Sequence, residues 1–85
     1  MKELHWNAEK NEWLQKTRGV SFEQLTNAKF IGIERHSSKL HQSLLIFEFR
    51  DYVWVVPYVE SRNEIFLKTL FPSRKYTKMW KKGKL

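Results

Sequence analysis

Tyr52-Val53-Trp54-Val55-Val56-Pro57-Tyr58-Val59 is the stretch on which the fold turns. β-Branched and aromatic residues crowd it, and it reads as a strand. Side chains alternate across a strand, so Val53, Val55 and Val59 share one face while Tyr52, Trp54 and Tyr58 share the other. The aliphatic face suits a core beneath helices, and the aromatic face suits either a partly open surface or burial like the other. Pro57 donates no backbone hydrogen bond, which implies an edge, a bulge or a strand end.

Further strands flank this one. Phe30–Arg35 and Ser43–Arg50 precede it, separated by the polar Ser37, Ser38 and Lys39. Arg50-Asp51 is short enough for a tight turn, although it lacks the glycine that hairpins prefer. After the turn at 60–63, Ile65–Phe71 reads as a fourth strand. Connections this short predict an antiparallel meander.

The outer segments carry helix signals. Asn7 is a good N-cap, Glu9 suits the positive end of a helix dipole, and Gly19 stands where a left-handed C-cap is expected. A helix over about 8–17 follows. Ser21 and Gln24 have capping-box spacing, and Val20 with Leu25 has the spacing of a hydrophobic staple, so a second helix is predicted near 22–28. Pro72 and Ser73 start a last helix that Gly83 ends. The fold class predicted is α+β: two N-terminal helices, a four-stranded antiparallel sheet and a C-terminal basic helix.

Length and composition narrow the function. At 85 residues the chain is one domain, 1–85, with room for one core. It has no cysteine, which excludes disulfides and thiolate metal sites and suits a reducing cytosol. No apolar run approaches a membrane span, and no signal-peptide core opens the chain. A soluble cytoplasmic protein without a membrane partner is expected.

Charge is the strongest functional signal. Residues 1–60 hold eight Lys/Arg and eight Asp/Glu, whereas 61–85 hold eight basic residues and one acid, Glu64. The whole formal charge of +7 therefore falls on the closing strand and terminal helix. Such a local positive field suits a polyanion, whose binding releases condensed counterions. At helical spacing Tyr76, Met79 and Trp80 make an apolar stripe, with Arg74, Lys78 and Lys81 beside it. Arg74 and Lys75 sit at the helix start, where free N–H groups also favour anions. Lys68 precedes them on the strand, and Arg62 lies at that strand's other end. These cations are expected to converge on one pocket. A merely solvated helix would more often mix the signs of its charges.

Chemistry beyond charge is sparse. His5, His36 and His41 show no metal-ligand spacing, and no phosphate loop or nucleophile elbow is present. No metal or other cofactor is expected. Trp54, Tyr58 and Trp80 are candidates for stacking on unpaired bases, with Arg18, Lys78, Lys81 and Lys82 as candidate backbone contacts.

His5-Trp6-Asn7, Lys10-Asn11, Leu14 and Arg18-Gly19-Val20-Ser21-Phe22-Glu23 together resemble the opening of BrnT-type toxins from bacterial toxin–antitoxin modules. Ser73-Arg74-Lys75-Tyr76-Thr77 resembles the start of their last helix. The sequence departs from that pattern at Arg18, which replaces a histidine, at Tyr76, which replaces an alanine, and in lacking acids in the last helix. The resemblance implies a RelE-like fold with helices on one side of the sheet. It also implies a ribonuclease that arrests growth and an acidic antitoxin encoded beside it. On matching positions it places function on Arg18, Lys68, Arg74 and Lys75, with Arg62 near an arginine that such chains carry.

The implied chemistry is metal-independent cleavage of RNA, with Lys68, Arg74, Lys75, Tyr76 and Arg62 as candidate catalytic residues. The rival readings are a nucleic-acid-binding module that cleaves nothing, and a basic domain that meets an acidic protein. An exposed edge strand would also permit a homodimer or strand addition by a partner.

Overall fold

The computed structural model describes residues 2–85 and has the order β1 (Glu3–Trp6), α1 (Ala8–Arg18), α2 (Phe22–Thr26), β2 (Lys29–Arg35), β3 (Ser43–Phe49), β4 (Tyr52–Glu60), β5 (Glu64–Leu67), β6 (Phe71–Pro72) and α3 (Arg74–Lys81). The α+β class holds, with three helices. The sheet differs from expectation: it has six strands, ordered β1-β5-β4-β3-β2, with β6 also paired to β4. It is mixed, because β1 runs parallel to β5 while the other pairs are antiparallel.

The helix ends are set locally. The Asn7 side chain accepts the N–H of Lys10 at 2.8 Å, and Gly19 takes a left-handed φ of 72°. Ser21 and Gln24 form the reciprocal capping box that opens α2. Ser73 caps α3 by accepting the N–H of Tyr76 at 3.1 Å. Gly83, at φ 71°, lets its own N–H reach Trp80 and that of Lys84 reach Met79, which closes the helix.

The expected fourth strand is split. Leu67 pairs with Tyr58 and Phe71 with Val55, so three residues, Lys68 to Leu70, span the space opposite Val56 and Pro57. This is a one-residue bulge. It lies opposite the proline of β4, whose carbonyl still accepts the N–H of Lys68 at 2.8 Å.

Helices cover both faces of the sheet, not one. Under α1 and α2 the core includes Leu14, Phe22, Leu25, Phe47, Val56 and Tyr58, with Trp54 packed against it. Under α3 lie Leu44, Ile46, Val53 and Val55, with Tyr76 and Trp80 packed on them. The aliphatic face of β4 thus meets α3. Its aromatic face is covered by the first two helices, so of the two readings of that face burial is the one the structure has; those rings supply the larger apolar area and it is removed from water.

Candidate nucleic-acid interface

Three tethers position α3 on the sheet. The Ser73 N–H donates to the Val53 carbonyl at 2.9 Å, and the Val53 N–H in turn donates to the Thr77 hydroxyl at 2.9 Å. At the far end Lys81 meets Asp51 at 3.4 Å. Thr77 is buried and Tyr76 and Trp80 are turned toward the sheet, so Arg74, Lys75, Lys78, Lys81 and Lys82 are left exposed. Among the described residues, Lys81 is the one cation after residue 60 with a carboxylate in ion-pair range.

Arg74 and Lys75 stand in the first turn of α3, which contains no acid. Cations there oppose the helix dipole, at a cost of about 0.3–1 kcal/mol each at an exposed site. An anion laid across that turn would relieve the repulsion.

Lys68 lies on the same sheet face as α3. Phe66 pairs with Val59, which shares the face of Val53 and Val55, and the Lys68 amino group sits 5.7 Å from the Phe66 ring centroid. Lys68 is level with Pro57, whereas Ser73 bonds Val53 four residues away along β4. At strand rise that is about 13 Å. The cations therefore do not gather in one pocket. They line a track that runs from the end of β5, past the bulge and β6, onto α3. None of three surface depressions on the molecule is lined by Lys68, Arg74, Lys75 or Tyr76.

The other candidates are placed as follows. Arg18 donates through Nη1 to the Leu70 carbonyl, which ties the end of α1 to the bulge. Arg62 lines a depression with Lys2, Glu3, Asn63 and Glu64, at the far end of β5 from Lys68. Tyr58 is only 6% exposed, within the core under α1 and α2. Trp54 packs against that same core, and its indole N–H is buried without a hydrogen-bond partner. Neither ring offers a free face for a base, because the first two helices cover that side of the sheet. Trp80 packs on the core beneath α3.

Two histidines are occupied otherwise. The Nδ1 of His36 accepts N–H bonds from Ser38 and Lys39 at 3.1 and 3.2 Å, which shapes the β2–β3 loop. His41 lines a depression with Arg35, Tyr58 and Glu60. His5 is the histidine that sequence reasoning weighed with the other two and set aside. It pairs with Phe66 across β1 and β5, so it shares the sheet face of Lys68. Its Nε2 lies 3.2 Å from Glu3 and 3.8 Å from Glu64, and its side chain is 43% exposed. No sequence signal marks this, because Glu64 is brought beside His5 only by the parallel strand pair. Among the described residues, no three His, Asp or Glu side chains gather with metal-ligand spacing.

No protein-family model matches the sequence, and no curated protein matches it. Among solved structures, the chain is similar to the Brucella abortus ribonuclease toxin BrnT, with a TM-score of 0.56 over 86% of this chain and 97% of that one. This is a BrnT-like fold. Sequence identity to BrnT is 16%, so the likeness is one of architecture. Among the described residues, no helix is long and apolar enough to cross a membrane.

Proposed function

We propose that this protein is the toxin of a toxin–antitoxin pair, and that it cleaves RNA without a metal ion in the cytoplasm. The observation that carries this reading is the unneutralised cationic track from Lys68 to the first turn of α3, set on a BrnT-like fold. Single-stranded RNA crosses the bulge between β5 and β6, and successive phosphates meet Lys68 and then Arg74 and Lys75. A track suits a chain of phosphates better than a single buried charge would.

Cleavage by the ribose 2′-hydroxyl forms a bond to the adjacent phosphorus and expels the 5′-oxygen. The products are a 2′,3′-cyclic phosphate and a 5′-hydroxyl. Lys68, on the same sheet face as His5, stabilises the charge that grows on the phosphorane, while Arg74 and Lys75 hold a neighbouring phosphate and so position the chain. His5 carries the proton, held in place by Glu3 and Glu64. Tyr76 is half-buried under its own helix and serves packing first. Lys78 and Lys82 add affinity without contacting the reacting phosphate. An acidic antitoxin covers the track and silences the protein.

Incubation of purified protein with RNA in EDTA tests this reading. Cleavage is expected, with cyclic-phosphate ends. Lys68→Ala and Arg74→Ala abolish it without unfolding the chain, since both side chains are exposed. His5→Gln lowers turnover by about 10²–10⁴-fold and leaves RNA binding intact. Retention of intact RNA by the wild-type protein would favour the binding module instead.

A further inference from the structure

The other edge of the sheet carries a pattern that RNA cleavage does not use. β2 is the last strand on that side, so one row of its backbone groups has no neighbouring strand. Phe30 and Ile33 are 53% and 60% exposed there. They pair with Phe47 and Leu45, so both project on the α1–α2 face. Lys29 and Glu34 pair with Glu48 and Leu44, on the α3 face. Among the described residues, neither has an opposite charge in ion-pair range.

We propose that β2 pairs antiparallel with β2 of a second copy, about a two-fold axis between Ile31 and Gly32. In that register Lys29 stands opposite Glu34 of the second copy, Phe30 opposite Ile33, and Ile31 opposite Gly32, each pair occurring twice. Both charged pairs attract on one face, and both apolar pairs bury exposed surface on the other.

The bulge is what makes this register available. Residues directly opposite in an antiparallel pair must share a face. In a regular strand, residues 29 and 34 lie on opposite faces, as do 30 and 33, so neither pair could form. The shift between Phe30 and Gly32 inserts one residue and reverses that parity. Ile31 and Gly32 then both lie on the α3 side, where Ile31 packs on Leu44, Ile46, Val53 and Val55. An axis through Gly32 would set Phe30 against Glu34 from opposite faces, and an axis through Ile31 would do the same to Lys29 and Ile33. Charges and bulges usually keep an edge from pairing. Here the bulge selects one register, and the side chains are self-complementary in it.

Sedimentation equilibrium tests the proposal, which stands apart from RNA cleavage. The wild-type chain is expected to dimerise at micromolar concentration. Glu34→Lys places lysine opposite lysine twice and weakens the dimer by about tenfold or more, as does Lys29→Glu. The double variant Lys29→Glu/Glu34→Lys restores it, because each copy supplies both halves of the swap. All three variants should fold, since both positions are exposed, and circular dichroism checks this. A wild-type chain that stays monomeric at millimolar concentration overturns the proposal and leaves the edge to a strand of another protein. A dimer indifferent to Glu34→Lys, or a swap that restores nothing, overturns it equally.

Discussion

The Thr77 hydroxyl takes the place of a strand carbonyl, accepting the N–H of Val53 at 2.9 Å while donating to the Ser73 carbonyl at 2.6 Å. β6 ends at Pro72, so β4 would otherwise have an unmet donor there. One buried side chain completes the ladder and fixes α3 to the sheet. Thr77→Val keeps the shape and strands the Val53 N–H. It should cost about 1–3 kcal/mol, read as a lower midpoint in urea, whereas Thr77→Ser should cost less.

Asn11 joins the first two helices. Its amide donates to Glu23 at 2.7 Å, and its oxygen accepts the N–H of Phe22 at 2.8 Å. The bond from Asn11 holds the Glu23 carboxyl below the usual range, with help from its own backbone N–H and from Ser21 and against a small effect of burial. A carboxyl depressed in the folded state stabilises above its unfolded pKa, and that contribution fades as pH falls through the folded value. Asn11→Ala should therefore lower the melting temperature more at pH 7 than near pH 3. Glu23 is exposed, so the pH-dependent part is small.

The β3–β4 turn is tight for its residues. Arg50 and Asp51 both take left-handed φ values, 55° and 62°. A two-residue hairpin of this hand prefers Asn-Gly. Arg50→Asn should stabilise the fold by about 0.5–1 kcal/mol, which is several degrees in melting temperature for a domain of this size. Calorimetry of the two proteins gives the answer.

Salt should separate the cations that meet phosphate from those that do not. The slope of log affinity for single-stranded RNA against log salt falls by about 0.7 for each phosphate contact removed. Lys78→Ala should show that reduction, and Lys39→Ala, in the β2–β3 loop, should not. Titration at several salt concentrations measures both.

Local features were legible because their partners lie three to five residues apart. Asn7, Gly19, and Ser21 with Gln24 cap where the sequence reading puts them; Ser73 caps α3, while Pro72, read as part of that helix start, lies in β6. Strand β1 was not legible: Glu3–Trp6 is four residues long, and its partner is Glu64–Leu67, remote in sequence. Nor was the bulge at Lys68–Leu70, which has no residue signature of its own, although Pro57 opposite it pointed to an irregularity. Alternation along β4 separated Val53 and Val55 from Trp54 and Tyr58, but did not say which helix covers which side. The site divides in the same way. Its charge excess is a property of composition, whereas the spread of Lys68 from Arg74 and the neighbours of His5 depend on strand register.

The parallel pairing of β1 with β5 also orders events during synthesis. Residues 3–6 leave the ribosome long before residues 64–67, and until those emerge the first strand has nothing to lie against. The cationic helix emerges later still, after every strand of the sheet, so the positively charged surface is the last part of this fold to take shape.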